Sequence, residues 1–272
     1  MKRRRADQAL YDDLNLESLA LAKALIMEGR VMAGDRKILN ASEPVKEGEV
    51  LRVKGKLDSY VSRGAYKLKK AVEVFNLGLK GKTCVDVGCS TGGFTDVMLR
   101  NGAEHVYCVD VGYNLLDYKL RSDPRVTALE RTNARFLTEE HFPVAPEFGA
   151  TDVSFISLKA VLPSVLPLIK GEKREFVALI KPQFEAAKED VGEKGVVRER
   201  RVHESVLRDI LDFIPSTGWH VAGLDFSPVR GPEGNIEFLL YLIPREDAGE
   251  NDCAPSINDI ISAAYDIFLK SS

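Results

Sequence analysis

Apolar residues follow two rhythms along this chain. From Tyr66 onward, short apolar runs alternate with stretches of helical spacing. Runs at 83–87, 105–109, 126–129, 148–155, 175–180, 219–226 and 236–242 read as strands, while 66–75, the segment after Gly93, 200–214 and 256–270 read as amphipathic helices. Strand–helix alternation of this kind predicts an α/β fold: a Rossmann-like, mostly parallel seven-stranded sheet with helices on both faces. The first part of the chain is patterned differently. Residues 6–28 carry helical periodicity in two pieces, Ala9, Leu10 and Leu14, then Leu21, Ala22, Leu25 and Ile26, with Gly29 as a stop. Val31–Asp35 and Val50–Val53 read as strands, with turn signals at Pro44 and Glu47–Gly48. The expected organisation is a small α+β domain over 1–58, a linker over 59–66, an α/β domain over 67–245 and a tail over 246–272 with a short helix.

The most informative stretch is Thr83–Thr95, a short strand, then a glycine-rich turn, then a helix. Its spacing, Gly88-Cys-Ser-Thr-Gly-Gly93, is not the G-x-G-x-x-G of dinucleotide folds, and no Lys-Ser/Thr of a phosphate loop is present. The next strand ends in Asp110, an acid suited to ribose hydroxyls. A ribose-binding acid without a phosphate cradle favours S-adenosylmethionine. Asp86, Gly88, Ser90, Thr91, Gly92, Gly93, Phe94, Asp110 and Val111 are the candidate cofactor residues. Asn133 joins them as a possible partner of the adenine edge, although a turn-forming Asn fits that position equally well.

Composition narrows the class. The chain has 272 residues, 44% hydrophobic and 29% charged, and a net charge of only -3, so any affinity for nucleic acid has to come from local basic patches. Four cysteines without a C-x-x-C pair point to reduced thiols and a cytoplasmic protein. No apolar run approaches membrane-spanning length, and no secretory signal pattern follows Met1–Arg5. Neither a membrane partner nor a metal is expected.

The N-terminal segment, through Ala22-Lys-Ala-Leu-Ile26, Gly29-x-Val31, Gly34 and Gly48-x-Val50-x-x-Val53, resembles the S-four RNA-binding domain. That resemblance implies docking on structured RNA through phosphate contacts. Arg3, Arg4, Arg5, Lys23, Arg30, Arg36 and Arg63 are the candidate RNA-binding residues. Where the family commonly has Ser-Arg at the start of the second helix, this chain has Ser18-Leu19, so the expected RNA surface is either weaker or moved toward Arg3–Arg5.

Lys67, Asp152, Lys181 and Glu237 stand out together. An acid such as Glu237 in an apolar run is costly unless it is exposed or given partners. This half of the chain resembles the FtsJ-type ribose 2′-O-methyltransferases, whose active site is a Lys-Asp-Lys-Glu tetrad. The chain over about 1–245 resembles the TlyA (hemolysin A) family. The residues that carry this include Val61–Leu68, Asp86–Thr95, Val109–Tyr113, Leu120–Val126, Glu130–Arg135, Asp152–Leu158, Lys181–Glu185 and Gly231–Glu237, with Thr151 where alanine is usual. The resemblance implies S-adenosylmethionine-dependent methylation of cytidine 2′-hydroxyls in 16S and/or 23S rRNA within ribosomal subunits. In that reading Lys181 assists deprotonation of the hydroxyl, Asp152 orients Lys181, and Lys67 and Glu237 fix the ribose.

Three rivals fare less well. A base methyltransferase would need a proline-rich loop after the fourth strand or a nucleophilic cysteine, and Asp152-Val-Ser-Phe155, Cys89 and Cys108 supply neither. A lytic hemolysin would need an insertion segment, and none is visible. An RNA-binding ribosome-assembly factor with an inactive second half is disfavoured by the intact tetrad.

Overall fold

The computed structural model describes residues 3–14, 16, 19–46, 48–54, 60–231, 233–249 and 256–268. Ser59, the first residue of the expected linker, together with Lys2, Ser18, Glu47, Lys56, Pro232 and Cys253, lies outside the described residues. The chain forms two compact units, Met1–Arg63 and Gly64–Ser272.

In the first unit, β1 (Arg3–Arg5), α1 (Ala6–Asp13), α2 (Leu19–Met27), β2 (Val31–Ala33), β3 (Arg36–Lys37), β4 (Pro44–Lys46) and β5 (Leu51–Val53) follow in order. The two helices and the strands from Val31 and Leu51 match the sequence pattern. Ala9, Leu10, Leu25, Ile26, Val31, Ile38, Val45 and Leu51 close one small core. β3, β2 and β5 form a three-stranded antiparallel sheet. The arginine run is a difference: Arg3–Arg5 is a strand, paired antiparallel with Pro44–Lys46.

The second unit contains α3 (Ala65–Val74), β6 (Thr83–Val87), α4 (Gly93–Arg100), β7 (His105–Val109), α5 (Tyr118–Arg121), β8 (Val126–Leu129), β9 (Phe148–Thr151), α6 (Leu158–Val165), β10 (Glu175–Ile180), α7 (Pro182–Glu185), α8 (Arg200–Phe213), β11 (Trp219–Phe226), β12 (Phe238–Pro244) and α9 (Ile257–Phe268). Its seven strands lie in the order β11-β12-β10-β9-β6-β7-β8. β10, β9, β6, β7 and β8 run parallel, and β12 is antiparallel to both of its neighbours. The parallel strands are buried apolar runs because helices cover both faces. Two strands differ from expectation at their ends. β9 stops at Thr151 and β12 begins at Phe238, so Asp152 and Glu237 stand just outside the ladder at the same edge. The buried Thr151 hydroxyl donates to the Val87 carbonyl at 3.1 Å, which satisfies the group that distinguishes it from alanine. Helix α9 is part of this unit and not a separate tail. Ile261 and Ala264 are fully buried in its core, and the Tyr265 hydroxyl lies 2.8 Å from His203 Nδ1. Burial pushes the His203 imidazole down to about 4.

Candidate active site

Strand order reverses between β6 and β9, the place where open α/β sheets bind ligands beyond the strand carboxyl ends. A cavity of about 460 Å³ opens there, lined from the ends of four adjacent strands: Gly88 and Ser90 after β6, Asp110 and Val111 after β7, Thr132 and Asn133 after β8, and Asp152–Ile156 after β9. Of the residues expected to hold a cofactor, Gly88, Ser90, Asp110, Val111 and Asn133 line it. The two Asp110 carboxylate oxygens accept from the Ser90 and Gly112 backbone N–H groups at 2.8 and 2.7 Å, fixing the acid at the rim. Asn133 Oδ1 accepts from Arg135 N at 3.0 Å, as in the turn-forming reading, and the residue also borders the cavity.

The remaining turn residues act on the protein itself. Asp86 is 1% exposed and accepts from the Thr95 amide and hydroxyl at 2.9 and 2.7 Å, tying the strand to the start of α4. It does not line the cavity, because β6 turns it inward. Burial pushes its carboxyl up to about 7. Gly92 has φ +94°, and a Cβ there would meet Leu120 Cδ1 at 2.3 Å. Its left-handed backbone favours glycine in any case, and the Leu116 and Leu120 side chains crowd the same position. Thr91, Gly93 and Phe94 likewise do not line the cavity; Gly93 and Phe94 are buried in the first turn of α4.

Beside the cavity the four tetrad side chains converge. Lys67, from α3, places Nζ 3.1 Å from Asp152 Oδ2 and 2.8 Å from Glu237 Oε2. Lys181 Nζ lies 2.6 Å from Asp152 Oδ1, 2.7 Å from Ser154 Oγ and 3.2 Å from the Asp152 carbonyl. Asp152 thus bridges both lysines. Burial alone would lower the Lys67 ammonium, but the carboxylates of Asp152 and Glu237 outweigh it and hold that group above its ordinary value. Glu237 is 1% exposed, and its Oε1 has no hydrogen-bond partner among the described residues. It packs against Gly231, where a Cβ would come within 2.7 Å of that oxygen. Glu237 therefore meets Lys67 through one carboxylate oxygen and leaves the other unmet among the described residues.

Sequence reasoning missed several residues around this cluster. Ser154 carries the hydroxyl that meets Lys181 and also lines the cavity. Phe155 is 91% exposed with φ +63°, its ring 5.0 Å from that of Phe184. Asn235 is buried and pins the 195–197 segment: its Oδ1 accepts from Val197 N at 2.9 Å and its Nδ2 donates to the Gly195 carbonyl at 2.8 Å. The only sequence signals for these were their positions beside Asp152, Lys181 and Glu237.

Most of the RNA-binding candidates face acids of the same unit. Arg4 pairs with Asp13 at 2.8 Å, Arg5 with Asp7 at 2.8 Å, Arg30 with Glu28 at 3.4 Å, and Arg36 with both Glu43 and Glu49. Lys23 Nζ is 4.0 Å from Asp7, and the Arg63 charge acts on Glu28. Arg3 is exposed at the edge of its strand. Among the described residues no group of His, Cys, Asp or Glu is arranged to hold a metal, and no helix is long and apolar enough to cross a membrane.

Sheet order, switch-point cavity and glycine turn define a class I methyltransferase fold of the S-adenosylmethionine-dependent kind. The family model for FtsJ-like methyltransferases matches residues 60–243, and the chain belongs to that family. It is 46% identical over 242 residues to the Bacillus subtilis protein named "Putative rRNA methyltransferase YqxC", covering 89% of this chain and 86% of that one. It is 39% identical over 247 residues to the Mycobacterium tuberculosis "16S/23S rRNA (cytidine-2'-O)-methyltransferase TlyA", covering 90% and 92%. The solved structure described as "Putative hemolysin from Streptococcus thermophilus" superposes with a TM-score of 0.77 at 43% identity, over 100% of this chain and 98% of the other.

Proposed function

We propose that the protein methylates cytidine 2′-hydroxyls of ribosomal RNA, in the cytoplasm, acting on ribosomal subunits that its first unit helps to engage. The observation that carries this reading is the Lys67–Asp152–Lys181–Glu237 cluster, set against a cavity that offers Asp110 to a ribose. A ribose hydroxyl is a poor nucleophile at neutral pH, and its proton has to leave as the new C–O bond forms. S-adenosylmethionine, when bound, supplies an electrophilic sulfonium methyl. Gly88, Ser90, Asp110, Val111 and Asn133 would hold it, since these residues bring a hydroxyl, a carboxylate and a side-chain amide to one cavity.

Roles within the cluster follow from geometry. Lys67 is held charged by two carboxylates, so it serves to offset negative charge developing on the attacking oxygen and not to take up a proton. Asp152 is shared between both lysines and fixes their spacing. Lys181, beside Ser154 at the cavity, would first have to give up a proton to solvent; as the neutral amine it would then receive the hydroxyl proton. One anionic bridge and one buried acid against two lysines leave the site near neutral, which makes its desolvation tolerable. The exposed Phe155 ring offers a face on which a base could stack.

The test is methyl transfer from labelled S-adenosylmethionine into purified, unmodified ribosomal subunits, with Lys181→Ala alongside, the position being read by reverse-transcription stops at low dNTP. Label on a cytidine ribose, lost in Lys181→Ala, is the expected result. Label on a base would overturn the assignment.

A further inference from the structure

We propose that Glu185 is a positioning residue that clamps together the two loops carrying Asp152 and Lys181. The inference rests on the reading of that pair as the catalytic centre. β9 and β10 are adjacent and parallel, so Asp152 and Lys181 leave the sheet side by side. The Asp152 amide still donates to the Val87 carbonyl at 3.1 Å, but past Asp152 and Lys181 the ladder holds neither segment, because each of the two lies one residue beyond the end of its strand. The loop after Asp152 also carries a strained residue, Phe155 at φ +63°, a conformation that a bulky side chain keeps only when its surroundings impose it.

Glu185 supplies the tie. Its Oε2 accepts from Ser157 Oγ at 2.6 Å and its Oε1 from Leu158 N at 2.7 Å. Ser157 Oγ in turn accepts from Lys159 N at 3.1 Å, so the carboxylate and the serine together cap the first turn of α6. Chain distances are short on both sides. Glu185 ends the α7 turn that starts directly after Lys181, and Ser157 ends the loop that starts at Asp152. The contact between Phe155 and Phe184 closes the same gap from its apolar side. Ser154, the Lys181 partner that lines the cavity, is held inside this bridged segment. Glu185 reaches none of the reacting positions itself. Its partial burial raises its carboxyl above the ordinary value, offset in part by the Ser157 and Leu158 bonds, as expected for an acid committed to internal donors.

The experiment pairs two readouts on the full chain: single-turnover methyl transfer into unmodified ribosomal subunits, and hydrogen exchange of the protein alone. Glu185→Ala should transfer methyl about tenfold more slowly. It should also show faster exchange confined to amides 153–158, with β9 and β10 as protected as in the parent. Glu185→Gln keeps an acceptor for Leu158 N and a donor for Ser157 Oγ, and should recover most of the rate. Ser157→Ala, which removes one bond of the clamp and leaves the Leu158 bond, should fall between the two. Unchanged exchange at 153–158 in Glu185→Ala, or a rate equal to the parent, would overturn the clamp. A parent protein that labels no ribose would overturn the methyltransferase assignment instead, and the exchange data would still decide the clamp.

Discussion

One strand, β10, carries a buried lysine–carboxylate cluster at each end, and the two clusters differ in kind. At its amino end Glu175 is 1% exposed, with Oε2 2.6 Å from Lys82 Nζ and Oε1 2.7 Å from the Tyr241 hydroxyl. Lys82 also donates to the Lys173 carbonyl at 3.2 Å, and the Tyr241 ring stacks on Phe75 at 5.3 Å. Burial and the Glu175 carboxylate push the Tyr241 phenol up. Both carboxylate oxygens of Glu175 are satisfied. At the carboxyl end, Lys181 and Asp152 border a cavity, Asp152 is divided between two lysines, and Glu237 Oε1 is unmet among the described residues. Burial and ion pairing are common to both ends. Unmet capacity beside a cavity at the strand carboxyl ends belongs to one, and that feature marks chemistry and not architecture.

The largest effect that could break this contrast is catalytic. Lys181→Ala should lower kcat for ribose methylation by roughly 10³-fold, the usual scale for removing a positioned general base. Cofactor binding, followed by calorimetry, should persist, because Lys181 is not among the residues lining the cavity. Lys181→Arg should be similarly slow, since a guanidinium does not release its proton in the working range. Either variant retaining the parental kcat would erase the distinction between the two clusters.

Next comes stability. Glu175→Ala leaves Lys82 without its counter-charge and Tyr241 without an acceptor, at a cost of about 3 kcal/mol, or roughly 6–12 °C in Tm for a unit of this size. Activity per folded molecule should stay at the parental level, compared at a temperature where both proteins are folded. A variant that is stable but slow would mean the amino-end cluster communicates with the site.

How much of this contrast was legible in the sequence depends on the distance over which each signal acts. Seven apolar runs announced the sheet, and the polar residues ending them (Asp110, Asp152, Lys181) fell at its functional edge because strand direction puts them there. Glu237 was legible as an acid interrupting an apolar run. Ser154, Glu185 and Asn235 were not, because their partners lie 27, 28 and 38 residues away and only the folded loops bring them together. Arg3–Arg5 gave no strand signal, since the pairing comes from Pro44–Lys46. Acids two residues from Arg5 and Arg30 hinted at neutralisation, whereas Glu43 and Glu49 meet Arg36 only across the small sheet.

A third case sits between the two clusters. Asp86 is buried like Glu175 yet has no cationic partner among its hydrogen bonds, and its carboxyl is raised to about 7. In the unfolded chain the group loses its proton near pH 4, earlier than in the fold, so its contribution to stability is complete below about pH 4 and is lost as pH rises to about 7. Between pH 5 and 8 the parent should lose roughly 2–3 kcal/mol from this group, and Asp86→Asn should not. Denaturant unfolding of both proteins at the two pH values checks this. Identical pH dependence in parent and variant would show that the Thr95 bonds hold Asp86 charged after all.

The smallest effect concerns the first unit, where the Arg36 pairs are partly exposed and far from the Lys67–Asp152–Lys181 cluster in sequence. Arg36 is divided between Glu43 and Glu49, and exposed pairs of this kind contribute little to the fold. Their larger consequence falls on RNA binding. A guanidinium already met by two carboxylates contributes little to a phosphate contact, so Arg36→Ala should weaken binding to ribosomal RNA by less than about twofold. Replacing both acids, Glu43→Gln with Glu49→Gln, frees the same arginine. Affinity should then rise about two- to fivefold, with the salt dependence steepened by about one phosphate contact. Filter binding across a series of salt concentrations separates the outcomes. A steeper slope in the double variant would identify the acids as a brake on the RNA surface. An unchanged slope together with a large loss in Arg36→Ala would mean that RNA displaces Glu43 and Glu49, and that the pairing holds the arginine ready for its phosphate.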